Sequence, residues 1–108
     1  MAIEFDYKHT RYKLEYNEKS IIKIENDGFV FASVYNKPVD SFKRLFIGAF
    51  LANHSDITMK KAEEIFSSLE GKDELFAALV RMYSEAQERI FSKGGSVEDN
   101  NSIIWEEV

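Results

Sequence analysis

The chain has 108 residues, 14 basic and 19 acidic, giving a formal net charge of −5, and it has no cysteine. The acidic balance, with no Lys/Arg stripe interleaved with aromatics, argues against nucleic acid as a partner, and the missing cysteines exclude disulfides, thiolate metal sites and thiol nucleophiles. Apolar residues at 44% and charged residues at 31% describe one globular domain rather than a disordered acidic tail.

The opening stretch MAIEFDYKHTRYK carries charge throughout and has no continuous apolar run. No run elsewhere approaches the roughly 20 apolar residues that span a bilayer. The expectation is a cytoplasmic protein with no membrane association.

Ile3, Phe5 and Tyr7 alternate with Glu4, Asp6 and Lys8, and Tyr12, Leu14 and Tyr16 alternate with Lys13 and Glu15, on either side of His9 and Thr10. This period of two predicts an antiparallel hairpin with one buried face, which needs helices as its cover. Asn17 is placed to cap a helix over 18–26, with Ser20 in the same local network and Gly28 as the left-handed residue that ends it. FVFASVYN, residues 29–36, favours an extended segment by composition, either a third strand or a loop crossing the core. Pro38 restricts Lys37, so a new element starts after it.

Asp40 or Ser41 is the expected cap of a helix over 41–53, whose Phe42, Leu45, Phe46, Ala49 and Phe50 follow the spacing of one core face. Thr58 opens a helix over 59–69 with Ala62, Ile65, Phe66 and Leu69 inward, ended by Gly71. The longest helix runs over 73–92, with Leu75, Phe76, Leu79, Met82, Tyr83, Ala86 and Ile90 in one stripe, and Gly94 and Gly95 stop it. Residues 94–108 read as a flexible tail with one apolar patch able to dock, Ile103, Ile104 and Trp105. The fold class is α+β: a short N-terminal antiparallel hairpin followed by a bundle of about four helices, forming a single domain over 1–93.

The groups that could do chemistry are sparse. His9 sits between two strands and His54 at a helix end, where a protonated imidazole would complement the helix dipole. Two histidines without an HExxH pattern do not make a zinc site. The acidic clusters read as solvated faces, EGKDE lacks the earlier glycine and the Ser/Thr of a phosphate loop, and no serine has an elbow context. No catalytic residue, cofactor or metal is expected, and the chain is read as a non-enzyme.

Nine Phe, five Tyr and one Trp suit a small domain that fills a thin core with large side chains. One feature exceeds that need. In KRLFIGAFLANH, residues 43–54, Ile47 and Leu51 lie four apart on a side of the helix that its core face cannot bury, around Gly48. Contiguous apolar surface of this kind marks a contact with another copy or another protein. The residues assigned to that contact are Phe46, Ile47, Phe50 and Leu51, with Tyr83, Ile90 and Trp105.

YKLEYNEKSI at 12–21, Gly28-Phe29, LFIGAFLANH at 45–54, LVRMYSEAQERI at 79–90 and the late Asn101 followed by Trp105 resemble the small tail assembly chaperones of long-tailed phages and prophages of Gram-positive bacteria. The resemblance covers about residues 5–105 and rests on hydrophobic patterns with a few glycine and aromatic positions. It implies a non-enzymatic, self-associating protein of the host cytoplasm that coats the largely helical tape measure protein before the tail tube polymerises. Many members are encoded with a longer form made by ribosomal frameshifting, and the short VEDNNSIIWEEV end leaves open whether this chain has one. A structural component of the virion tail or head-tail region, and a small interaction or inhibitor module, are the alternatives.

Overall fold

The computed structural model describes residues 1–92 and 103–108. Strands β1 (Ile3–Tyr7) and β2 (Thr10–Leu14) are followed by α1 (Glu18–Asn26), a 3-10 turn (Phe31–Ser33), α2 (Pro38–Ala49), α3 (Met59–Ser68) and α4 (Lys72–Phe91). A short antiparallel hairpin followed by four helices is therefore the architecture among the described residues, as the patterning predicts. The two glycines expected to stop α4 lie outside the described residues; the helix ends at Phe91, with Ser92 extended.

The hairpin turns one residue earlier than the alternation suggests. Lys8 and His9 both have positive φ, 47° and 69°, the mirror-image turn whose twist suits flanking strands, and Thr10 pairs with Tyr7. That register sets Phe5 opposite Tyr12, and their rings stack at 5.5 Å. At the hairpin's tip, the Tyr7 hydroxyl donates to Glu64 of α3 at 3.0 Å. This bond, with Lys8 and Lys61 nearby, holds the Glu64 carboxyl below the usual range.

No third strand forms among the described residues. Instead, the outer edge of β2 is satisfied by α2 and the turn after it. Lys13 N–H donates to His54 Nε2 at 2.9 Å and Asn53 Nδ2 donates to the Lys13 carbonyl at 3.3 Å. Just beyond β2, Glu15 N–H donates to the Ala49 carbonyl at 3.1 Å and the buried Tyr16 hydroxyl to that of Leu45 at 2.7 Å. His54 thus accepts through an unprotonated nitrogen, with its ring 5.1 Å from Tyr12. This replaces the helix-dipole role, which needs the protonated ring.

Asn17 and Ser20 form the reciprocal cap of α1: Ser20 N–H donates to Asn17 Oδ1 at 2.8 Å and Asn17 N–H to Ser20 Oγ at 2.9 Å. At the other end Gly28, at φ 105°, lets its own N–H reach the Glu25 carbonyl and that of Phe29 reach Ile24, at 3.0 and 3.2 Å. Residues 29–36 then resolve as the core-crossing loop. Phe29 and Val34 are buried, and the Phe29 and Phe31 rings lie 5.2 and 5.3 Å from that of Tyr83. The aromatic residues that suggested a strand are anchors onto α4.

Helix α2 starts at Pro38, three residues before the expected 41, and its N-cap Lys37 makes no side-chain cap bond. Proline at the first helical position presets the backbone and has no N–H to leave unsatisfied, so no polar cap is needed. Asp40 instead accepts from Arg44 at 2.8 Å. The regular helix ends at Ala49 rather than 53. Bonds of the i→i+3 type, such as Leu51 N–H to the Gly48 carbonyl at 3.1 Å, carry the chain on. Gly71, expected to end α3, is the N-cap of α4.

Phe42, Leu45, Phe46, Ala49 and Phe50 are all buried, as the spacing predicts. Their rings form the middle of a continuous aromatic chain: Tyr12 to Phe50 at 5.6 Å, Phe50 to Phe46 at 5.1 Å, Phe46 to Phe66 at 5.5 Å, Phe66 to Phe42 at 4.9 Å and Phe42 to Phe76 at 5.1 Å. On the opposite side α1 crosses α2 at Gly48. A Cβ there would overlap Cγ1 and Cδ1 of Ile24, so the missing side chain sets the approach of the two helices. Gly48→Ala is expected to destabilise the fold by about 1–3 kcal/mol despite its better helix propensity. Urea denaturation should show Ile24→Ala restoring part of that loss in the double variant, which an overlap requires and a propensity effect does not.

Candidate protein-binding site

The structure divides the seven residues assigned to a contact surface. Phe46, Phe50 and Tyr83 are each 0% exposed, so the folded chain presents none of them to a partner. This corrects their assignment: they belong to the face that α3, α4 and the hairpin cover, and uncovering one would cost several kcal/mol. Ile47 and Leu51 remain half-buried on the other side of α2.

Those two line a cleft of about 630 Å³ between α1, α2 and the start of α3. Ile24, Gly48 and Ala62, all buried, also line it, and Ile57 and Met59 come from the segment that leads into α3. The cleft lies where α3 begins only after Thr58, which accepts from Lys61 N–H at 3.1 Å, so that no helix among the described residues covers Ile47 and Leu51. Met59 is 60% exposed at its mouth.

Charges edge this apolar cleft, and each has a partner. Lys23 contacts Asp27 at 2.8 Å, Arg44 contacts Asp40 at 2.8 Å and Lys43 contacts Glu63 at 3.3 Å; Arg44 also donates to the Asp27 carbonyl. These side chains are 37% to 60% exposed, so the pairs add little stability and keep the rim hydrated. Such a site suits an apolar side-chain surface, and its rim solvates the edge of whatever docks. Among the described residues no cluster of three or more His, Cys, Asp or Glu could hold a metal ion, and no helix is long and apolar enough to cross a membrane.

Ile90 is 40% exposed and lies elsewhere, beside Ile22 and Phe91 at a recess of about 130 Å³ between α1 and α4. Trp105 is 78% exposed, with Ile103 and Ile104 each 88% exposed. Asn101, part of the resemblance, lies outside the described residues. The sequence reading missed Ile24, Ile57 and Met59. Gly48 between large side chains was the available signal, since a glycine inside a helix suggests a close neighbour.

Among the described residues, the fold and the cleft define a small α+β domain with a half-open apolar groove on its central helix. The chain belongs to the family described as "Domain of unknown function (DUF5055)", whose model matches residues 1–106. No curated protein and no solved structure matches it.

Tyr83 has a different consequence. Its hydroxyl is buried with no hydrogen-bond partner among the described residues, and burial, with Glu25 nearby, pushes its pKa up to about 12. Burial also pushes Tyr16 well above its usual value. Below pH 10 these phenols are neutral whether the chain is folded or not; above it the unfolded chain ionises first, so stability falls as pH rises through about 10–12. Tyr83→Phe removes an unsatisfied buried group and is expected to be neutral or stabilising by about 1 kcal/mol at pH 7. Denaturant titrations above pH 10 should give a fall about half as steep as wild type, because Tyr16 still titrates.

Proposed function

We propose that this protein is a tail assembly chaperone of long-tailed phages or prophages of Gram-positive bacteria. In this reading it acts without catalysis in the host cytoplasm, self-associates, and shields apolar helical segments of the tape measure protein until the tail tube polymerises. The observation that carries it is the second apolar face of α2, where Ile47 and Leu51 line an open cleft. A cleft walled by helices accepts an amphipathic helix through anchors spaced three and four residues apart, and such anchors recur along a long helical client.

Chaperoning asks for exchangeable contacts. A shallow apolar cleft with a hydrated, ion-paired rim offers area without deeply buried charge, so affinity per segment stays modest and many different apolar segments fit. Release then follows from competition as tube subunits take over the same client surface. A longer frameshifted form would carry the same cleft.

Ile47→Asp and Leu51→Asp each place a charge in the cleft and should weaken capture of the co-expressed tape measure protein by about 10- to 100-fold, with helical circular dichroism unchanged. Wild-type capture by both folded variants would overturn the assignment. Stoichiometric retention of the chain in purified particles would point to a virion component instead.

A further inference from the structure

Two of the apolar surfaces uncovered among the described residues stand apart from the recess at Ile22, Ile90 and Phe91. One is the cleft at Ile47 and Leu51. The other is Ile103-Ile104-Trp105, whose side chains are 88%, 88% and 78% exposed. Three large apolar residues in a row, open to water, are an unfavourable arrangement that association relieves. We infer that the Ile103–Trp105 segment of one copy docks in the cleft of a second copy, in a reciprocal exchange. This rests on the cleft being a binding surface, as the chaperone reading holds, and is independent of the client's identity.

Size selects the cleft over smaller recesses, such as that of about 240 Å³ at Phe29, Val30 and Arg44. The pocket beside Ile22, Ile90 and Phe91 holds about 130 Å³ against about 630 Å³ for the cleft, and an indole with two isoleucine side chains needs the larger. Charge allows it. Glu106 and Glu107 follow the indole directly, and the cleft's edge presents Lys23, Lys43 and Arg44, each balanced by one exposed carboxylate, Asp27, Glu63 and Asp40. The rim pairs are exposed, so they can exchange partners at little cost.

Area favours reciprocity. Three such side chains bury on the order of 400–500 Å² of their own surface. With the smaller exposed lining of the cleft added, one exchange removes about 600 Å² and two remove about 1,200 Å², at the lower end of specific, stable interfaces. A second copy supplies both exchanges at once, under the two-fold symmetry that closes the assembly.

Trp105 is the chain's single tryptophan, so its emission reports the segment directly. As the concentration of the full chain rises, emission should move to the blue while light-scattering mass doubles, over the same range. Ile103→Ser/Ile104→Ser leaves the indole in place and lies outside the folded core; it should weaken association by about a hundredfold and keep emission at the solvent-exposed position. Leu51→Asp should do the same from the cleft side. Emission that never leaves the solvent-exposed position, or a blue shift independent of concentration, which would mean docking within one chain, overturns the inference. Tape measure capture by the tail variant separates the two claims: if tryptophan emission never moves while capture still depends on Ile47 and Leu51, the exchange is wrong and the chaperone reading stands.

Discussion

The fold depends on the aromatic ladder of α2. Phe42, Phe46 and Phe50 stand four residues apart on one helical face, and each is packed against a ring from another element. A two-stranded hairpin does not hold itself together in water, and a ten-residue helix such as α3 is marginal alone. Both become stable by burying rings against this ladder, which is why one helix of modest length touches α1, α3 and α4. The polar ties follow the same geometry. Leu45 and Ala49 offer carbonyls to Tyr16 and Glu15, and the turn that ends α2 brings Asn53 and His54 to the edge of β2.

A helix used this heavily on one side has little left to cover the other. Here α1 covers part of it, and Gly48 fixes how closely, because Ile24 occupies the space a side chain would need. The remainder, Ile47 and Leu51, faces the gap before α3. A side chain at 48 would meet Ile24 before it reached that gap, and an earlier start to α3 would shorten the turn that carries His54. The half-open cleft is thus a consequence of the same packing that stabilises the domain.

What was legible in the sequence was local. The alternation of the hairpin, the Asn17 and Ser20 cap, the left-handed Gly28 and the core face of α2 are set by neighbours a few residues apart, and the structure has each of them. The start of α2 was misplaced because a polar cap was given more weight than proline at the first helical position. Phe46 and Phe50 were placed both on the core face and in the contact set, as chain neighbours of Ile47 and Leu51, and both are buried in the first. The bonds from Lys13 to His54 and from Tyr16 to Leu45 span 41 and 29 residues, and no periodicity carries information at that range. Ile47 and Leu51 stood out for a sound reason: they fell outside the pattern that the core required.

The two proposed occupants of the cleft compete, and that competition has a definite form. If the tail of a second copy fills the cleft, the apparent affinity for a client helix falls by the fraction of clefts so occupied. A single client segment would then bind poorly at high chain concentration. A long client with many apolar segments differs, because each bound copy raises the effective concentration of the next segment, and avidity grows with the number of sites while the tail remains one competitor per cleft. Self-exchange would therefore discriminate against short apolar stretches on folded proteins and in favour of a long, repetitively apolar helix. Selectivity of that kind comes from linked equilibria on one surface and needs neither nucleotide nor a specific sequence in the client.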